Sequence, residues 1–204
     1  MTTKTPMETL PRGRPRGFDA DRALDRAVHV FWRKGYEGAS LSELTRAMGI
    51  NRPSLYAAFG GKEALFRKAL DRYAEGPAGY VRDALAAPTA RAVAERLLRG
   101  AVALQTDPKT PPGCLVVNGA LACGAKADRI RRRLASHRDA VEHDLRRRLE
   151  RARAEGDLAA RARPADLARY VVTVMRGMAV QAAGGATRAE LERVVATALH
   201  AWPR

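Results

Sequence analysis

The stretch from Ser40 to Lys62, SLSELTRAMGINRPSLYAAFGGK, constrains the fold of this 204-residue chain more than any other. Ser40 and Glu43 have the spacing of a capping box, in which two side chains satisfy free N–H groups at a helix start. A short helix is therefore predicted to begin at Leu41. It should end at Gly49, because glycine readily adopts the left-handed conformation that closes a helix. The apolar residues at helical spacing are Leu41, Leu44 and Met48.

A second short helix should follow this glycine. Asn51 is a favourable N-cap, and Pro53 suits the first turn, where a missing N–H costs no intrahelical bond. Leu55 and Phe59 are four residues apart and are expected to point inward. The outward face would then consist of Arg52, Pro53, Ser54, Tyr56 and Ala57. Two short helices joined through a glycine turn, the second with a polar and aromatic outer face, are typical of a helix-turn-helix.

From Phe18 to about Tyr73 the chain resembles the DNA-binding domain of TetR-family transcriptional repressors. The matching segments are Phe31-x-x-x-Gly35-Tyr36, Ser40-Leu41-Ser42-Glu43-Leu44, Met48-Gly49-Ile50, Ser54-Leu55-Tyr56-x-x-Phe59 and Lys62-Glu63-Ala64-Leu65-Phe66. The alternative is an ordinary helical bundle. Such a bundle would not need an outward tyrosine beside a serine between two glycine stops.

This resemblance implies an all-α protein of about nine helices. Residues 18–75 would form a three-helix helix-turn-helix DNA-binding domain, and residues 76–204 a larger helical domain for effector binding and dimerisation. Asp19 is expected to cap the first helix. The fourth helix should open at Lys62 and break at residues 76–79, Gly-Pro-Ala-Gly.

Composition favours a polyanionic partner. The formal net charge is +15, and phosphate contacts dominate the affinity of proteins for nucleic acids. Two arginine-rich runs, within residues 129–133 and 146–153, are expected to be solvated helix faces rather than a second DNA site. No apolar run approaches the roughly 18 residues of a membrane span, and the N-terminus has no apolar signal region. A cytoplasmic protein without membrane contact is expected.

No residues stand out for catalysis, a cofactor or a metal. The histidines are scattered, and no metal-ligand spacing, nucleophile elbow or phosphate-binding glycine loop occurs. Cys114 and Cys123 are too few for a disulfide framework. The sequence therefore predicts neither an enzyme nor a cofactor protein.

The first 17 residues are rich in proline and glycine and are expected to be a disordered basic arm. Arg12, Arg14 and Arg16 lie in a run that resembles hooks of the DNA minor groove, where an arginine arm fits the negative potential of a narrow A·T tract. A solvated tail that adds only sequence-independent attraction is an equally good interpretation.

Base reading is expected from Arg52, Pro53, Ser54 and Ala57, with Ser42 assisting from the preceding helix. Arg52 is the natural guanine reader, because its guanidinium can donate two parallel hydrogen bonds. The resemblance implies that Tyr56 and Lys62 hold the phosphate backbone. Lys62 also opens a helix, whose N-terminus favours an anion.

The C-terminal half should contain a helix after Thr89, a short apolar helix after Cys114, a long helix ending at Gly156, one beginning at Pro164, and a last helix capped by Thr187 and Glu190. The last two carry wide apolar faces, and the resemblance implies a homodimer through a four-helix interface. Its predicted residues are Val171, Val172, Val195 and Leu199. A two-fold dimer would read a palindromic operator with half-sites about 34 Å apart or more.

The C-terminal core is also expected to enclose a pocket for a small-molecule effector, as in the family. The predicted lining is Leu97, Ala101, Leu104, Val117, Leu121, Tyr170, Val174, Met175 and Met178. The alternative is that these are plain core residues, which methionines at helical spacing more often are. Occupancy would release DNA only if the effector prefers a conformation in which the recognition helices are mis-spaced.

Two alternatives to this ligand-responsive repressor remain. Cys114 follows a Pro-Pro-Gly loop and could sense oxidants or electrophiles, although a free cysteine is more often a buried small hydrophobe. In a different class, the chain could be a sequence-nonspecific architectural DNA-binding protein that relies only on charge and its arginine arm.

Overall fold

The computed structural model describes residues 17–121 and 127–203, and within these residues the chain forms ten helices and no strand. The all-α fold is confirmed, with one helix more than expected. The helices are α1 (Ala20–Gly38), α2 (Leu41–Met48), α3 (Arg52–Phe59), α4 (Lys62–Glu75), α5 (Tyr80–Leu85), α6 (Ala90–Gln105), α7 (Leu115–Leu121), α8 (Asp128–Ala154), α9 (Pro164–Ala183) and α10 (Arg188–His200). Among the described residues, no helix combines the length and the apolarity needed to cross a membrane.

The predicted helix ends of the N-terminal half are confirmed. Asp19 accepts hydrogen bonds from the N–H groups of Asp21 and Arg22 at 3.0 and 3.1 Å. Both bonds of the Ser40–Glu43 capping box are present, and Gly49 closes α2 with φ 70°. These contacts join residues close together in sequence, which explains why the sequence predicts these helix ends.

The first four helices pack around an aromatic core. The ring of Phe66 on α4 meets that of Phe31 on α1 edge-to-face at 4.9 Å, and Trp32 meets Tyr73 at 4.8 Å. This core continues into α7 and the start of α8, whose buried members are Leu115, Ile130 and Leu134. Apolar packing therefore extends across the predicted domain boundary near residue 76, which remains a prediction.

A second core joins α5, α6, α8, α9 and α10. Its largest buried side chains include Leu97, Leu98, Leu145 and Leu149. Thr89 caps α6, Pro164 begins α9, and Thr187 and Glu190 form a capping box on α10, all as predicted. Helix α5, which was not predicted, lies directly on α6. The Tyr80 ring approaches Gly100 so closely that a Cβ on this glycine would come within 2.3 Å of the ring.

Ion pairs connect α4 to α1 and to the start of α8. Arg72 binds Asp25 of α1 through Nε and Nη2, at 2.7 and 3.1 Å. One residue earlier, Asp71 accepts a hydrogen bond of 2.9 Å from Arg133 of α8. Helix α4 is therefore held between the helix-turn-helix and the longest helix of the C-terminal half.

Candidate DNA-binding surface and effector cavity

The outward face of α3 is open to solvent. Arg52, Pro53 and Ala57 are exposed, and Ser54 is half-buried. Tyr56 is 54% exposed, whereas Leu55 and Phe59 on the opposite face are buried. The structure thus brings the residues predicted for base and phosphate contact onto one accessible surface, hereafter the α3 surface, with exposed Ser42 of α2 beside them.

Arg52 is held in place by the helix before it. Its Nη2 donates a hydrogen bond of 2.8 Å to Ser42 Oγ. This bond uses one of the five N–H donors of the guanidinium, so others remain for a base edge. Sequence reasoning named both residues but not this contact, which gives Ser42 a role in orienting Arg52.

Lys62 lies at the N-terminus of α4 in a partly enclosed position. Its ammonium group is 4.6 Å from the centre of the Tyr36 ring, and Nζ donates to the carbonyl oxygen of Glu37 at 3.5 Å. Burial lowers the pKa of Lys62, and the nearby charge of Glu37 partly opposes this. The side chain is anchored beside the positive end of the α4 dipole, and a phosphate contact there stays a prediction.

Helix α2 is fastened to α1 beneath this surface. Lys34 forms an ion pair with Glu43, the same carboxylate that completes the capping box. The hydrogen bond from Lys34 is the largest cause that lowers the pKa of Glu43. The predicted minor-groove residues Arg12, Arg14 and Arg16 lie outside the described residues.

A cavity of about 100 Å³, partly open to solvent, lies between the ends of α4 and α6 and the helices α5, α7, α8 and α9. Most of its wall is apolar. Its lining consists of Tyr73, Ala78, Tyr80, Val81, Gln105, Cys114, Val116, Val117, His137, Arg138, Val141, Val172, Met175 and Arg176.

The predicted pocket residues are only partly brought together. Val117 and Met175 line the cavity. Leu97, Ala101 and Met178 are buried in the C-terminal core, Val174 packs against that core, Leu104 packs against the N-terminal core, and Tyr170 is largely exposed. The side chain of Leu121 lies outside the described structure. The sequence did not predict the polar members of the wall, because apolar residues at helical spacing indicate buried positions but not the polar side chains beside them.

Cys114 sits in the cavity wall at the start of α7. The Tyr73 O–H donates a hydrogen bond of 3.4 Å to its Sγ, and burial raises the pKa of Tyr73. The preceding loop is fixed, because Gly113 has φ 83° and a Cβ there would come within 2.8 Å of the Ala179 carbonyl oxygen. Cys114 is half-buried, and Cys123 lies outside the described residues.

Three polar atoms of the cavity residues are buried and have no hydrogen-bond partner among the described residues. They are Gln105 Oε1, His137 Nε2 and Arg138 Nη1. Burial is the largest cause that lowers the pKa of His137, followed by the charge of Arg133. Elsewhere in the described part of the chain, no cluster of His, Cys, Asp and Glu is suited to hold a metal ion.

The residues predicted for the dimer interface are core residues of the single chain. Val171, Val172, Val195 and Leu199 are buried, because α6 packs against both α9 and α10. The large apolar side chains that are exposed on these two helices are Tyr170, Val180 and Val194.

Comparison with known proteins identifies the family. The family model for bacterial regulatory proteins of the tetR family matches residues 23–69, and the model for the tetracyclin repressor-like C-terminal domain matches residues 88–198. The chain belongs to the TetR family. The two matches cover the helix-turn-helix and most of the C-terminal helices, so the expected family is confirmed along both parts.

Several TetR-family relatives are similar along their whole length. The transcriptional repressor ComR of Escherichia coli K12 is 33% identical over 205 residues, which is 99% of this chain and 97% of ComR. The repressor BdcR of the same strain is 31% identical over 190 residues, 91% of this chain and 88% of BdcR. A cysteine mutant of the TetR-family regulator CifR, solved with 26-bp double-strand operator DNA, is 48% identical with a TM-score of 0.89, and covers 93% of this chain and 100% of its own.

This TetR-family chain is a DNA-binding transcriptional repressor. The assignment decides between the repressor and the architectural DNA-binding protein in favour of the repressor. The proteins it resembles are transcriptional regulators.

Proposed function

We propose that the chain acts as a homodimer that binds a palindromic operator and leaves it when a small-molecule effector occupies the cavity. One observation carries this proposal. Helix α4 begins at Lys62, beside the α3 surface, and contributes Tyr73 to the cavity wall near its other end. A ligand that moves the end of α4 would therefore also move the elements that present α3 to DNA.

Operator binding is supported by the α3 surface and by the CifR mutant, which is 48% identical and was solved on operator DNA. A single recognition helix reads only a few base pairs. Two copies related by two-fold symmetry would read both halves of a palindrome and gain specificity from half-site spacing.

Dimerisation is supported by an exposed face on α9 and α10. Tyr170, Gly177 and Val180 lie on one side of α9, with Val194 on α10. A Cβ on Gly177 would meet no atom within 4 Å. Because glycine within a helix costs about 1 kcal/mol relative to alanine, its use on an open face favours close approach of a second helix.

Effector coupling is supported by the way the cavity and the N-terminal core share helices. Helix α7, which carries Val117 and directly follows Cys114, packs against α1, and Leu115 is fully buried in the N-terminal core. An effector would favour release only to the extent that it binds the released conformation more tightly. Couplings of this kind are typically about 5–150-fold in affinity.

The test is selection of bound sequences from random DNA, followed by competition against excess random DNA at physiological salt. We expect an inverted repeat that survives the competition, and a light-scattering mass of two chains at micromolar concentration. Binding that is lost to random DNA, or a monomer mass, would contradict the proposal. An effector is then sought as a compound that releases the selected site.

A second candidate is a thiol-based repressor that senses oxidants or electrophiles through Cys114. It is favoured by one specific contact, the Tyr73 O–H bond to Cys114 Sγ, since oxidation or alkylation of the sulfur would break a link between α7 and α4. Peroxide or a quinone should then lower the operator affinity of the unmodified chain. Equal responses of this chain and Cys114→Ser would exclude the sensor.

A further inference from the structure

The polar atoms of the cavity point to the chemistry of its ligand. Gln105 is 4% exposed, and its Oε1 is buried without a hydrogen-bond partner among the described residues, as are His137 Nε2 and Arg138 Nη1. Asp71 Oδ1 is 3.7 Å from His137 Nε2, too far for a hydrogen bond. Because an unpaired buried polar atom is unfavourable, these three atoms favour a partner that is not part of this chain.

The charge of the cavity wall favours a negative partner. The lining contains two guanidinium groups, those of Arg138 and Arg176, and no carboxylate. Within the described residues Arg138 forms no ion pair. Arg176 Nη1 lies 3.7 Å from Glu142, whose carboxylate already binds Arg169 at 3.0 Å. Burial is the largest cause that lowers the pKa of Arg176, which indicates that solvation of this guanidinium is incomplete.

We propose that the cavity binds a compact organic carboxylate, with its anionic group against Arg138 and Arg176 and its apolar body against Val81, Val141, Val172 and Met175. A guanidinium matches a carboxylate through two parallel N–H donors. The predominantly apolar wall excludes a bare inorganic anion as the best occupant, because its apolar area would stay uncovered. This ligand class deepens the proposed function, on which it rests for the regulatory meaning of the site.

Gln105 adds a requirement for a donor group. Its Nε2 donates to the Met175 carbonyl oxygen at 3.1 Å, so its Oε1 is the atom left to accept a bond. A carboxylate that also carries a hydroxyl group could donate to it. We therefore expect a hydroxylated acid to bind more tightly than its parent acid.

The test measures ligand binding by calorimetry on the DNA-free chain. The probes are benzoate, phenylacetate, hexanoate and 4-hydroxyphenylacetate, each beside its neutral amide. The variants are Arg138→Gln, Arg138→Lys and, as a matched control, Arg147→Gln, because Arg147 is an exposed arginine on the same helix. Thermal unfolding of each variant establishes that it is folded.

At least one acid should bind, and its amide should bind markedly less well. Loss of a charge-assisted pair predicts about 10- to 100-fold weaker binding to Arg138→Gln, partial recovery in Arg138→Lys and no change in Arg147→Gln. If Arg138→Gln fails to fold, Arg138→Lys and the comparison of each acid with its amide still test whether the cavity recognises a carboxylate. Equal binding of acids and amides, or no binding by any acid, would overturn the proposal.

Operator release is measured separately with the selected DNA site. An acid that binds without releasing the operator would support the ligand class and contradict the proposed effector response. Release by a neutral compound, with no acid bound, would contradict the ligand class and leave the effector response standing.

Discussion

The polar side chains of the α3 surface and those of the cavity differ in their exposure and in their hydrogen bonding. On the surface, Arg52 and Ser42 are exposed and hydrogen-bonded to each other. In the cavity, polar atoms of Gln105, His137 and Arg138 are buried and have no partner among the described residues. The α3 surface therefore needs no partner to satisfy this pair of side chains, whereas the proposed ligand site leaves polar atoms unpaired until it is filled.

This difference follows from solvation. An exposed polar side chain is hydrated when DNA is absent, so changing it affects binding and hardly affects folding. A buried polar side chain has no such substitute, so the cavity links ligand binding to conformation and stability. Substitutions on the α3 surface therefore carry a low structural cost, while the cavity depends on the packing of the six helices that line it.

The largest expected change is in the free energy of unfolding, and it should be seen for a buried aromatic ring but not for an exposed one. Phe66 is fully buried between α1 and α7, with Phe31 and Tyr36 against its ring. Phe66→Ala should lower the free energy of unfolding by about 3–5 kcal/mol. Tyr56→Ala, an exposed aromatic on the α3 surface, should change it by less than about 0.5 kcal/mol. Urea unfolding measures both, and similar losses would contradict the division between surface and core.

Charge on the open face of α9 should break the proposed dimer. Gly177→Arg would place a cation where a second chain is expected, and loss of the second half-site contact should weaken operator binding roughly 100-fold or more. Ala165→Arg is the control. Ala165 is exposed on the same helix, but its side chain lies about 120° around the helix axis from Gly177. Light scattering and anisotropy measure the two effects. A Gly177→Arg dimer with normal operator affinity would place the interface elsewhere.

Base reading should depend on Arg52. Arg52→Ala should cost about 1–3 kcal/mol of operator binding and relax one operator position. Lys62→Ala should weaken binding to all sequences alike. Ser42→Ala should have a smaller effect than Arg52→Ala, because it removes only the bond that orients the guanidinium. Binding to a set of single-base operator variants measures this. Equal shifts of specific and non-specific binding for Arg52 and Lys62 would remove the division of roles.

Each half of the molecule contains a capping box, so removing each box in turn compares its effect on stability and on operator binding. Ser40→Ala and Thr187→Ala each remove the hydroxyl of a capping box and should each lower the free energy of unfolding by about 1 kcal/mol. Only Ser40→Ala should also weaken operator binding, because α2 carries Ser42. Thermal unfolding and anisotropy on the same samples measure both. If Thr187→Ala weakens operator binding as strongly, capping near DNA has no special role.

The smallest effect is a pH dependence from the two capping carboxylates. Contacts with Lys34 and Ser40 lower the pKa of Glu43, and contacts with Thr187 lower that of Glu190. A lowered folded pKa adds stability above the unfolded pKa, and this is lost as pH falls through the folded pKa. Urea midpoints between neutral and acidic pH should fall less in Glu43→Gln than in the unmodified chain. A parallel decline would exclude this contribution.

The sequence predicted those features that arise from local contacts. The caps at Asp19, Ser40, Asn51 and Thr187 and the left-handed Gly49 are set by neighbouring residues, and all are present. Helix α5 was missed, because the Gly-Pro-Ala-Gly stretch before it indicates a break. Its stability comes from packing of Tyr80 on Gly100, which no local pattern shows.

The cavity and the free apolar face depend on distant packing and were predicted poorly. Apolar periodicity indicates which residues are buried, but not whether α6 or a second chain covers them, so Val171 and Val195 were assigned to the interface. Gln105, His137 and Arg138 come from α6 and α8 and meet only in the folded chain. Their role becomes visible only as unpaired buried atoms.

We expect occupancy of the cavity to weaken operator binding through α4 and α7. The most direct measurement is the operator affinity of Val117→Trp, which fills the cavity without any ligand, beside Ala165→Trp on an exposed surface. We expect Val117→Trp to remain a folded dimer and to bind the selected operator about tenfold more weakly, within the usual range of coupling, while Ala165→Trp binds normally. A folded Val117→Trp dimer with unchanged operator affinity would contradict the account.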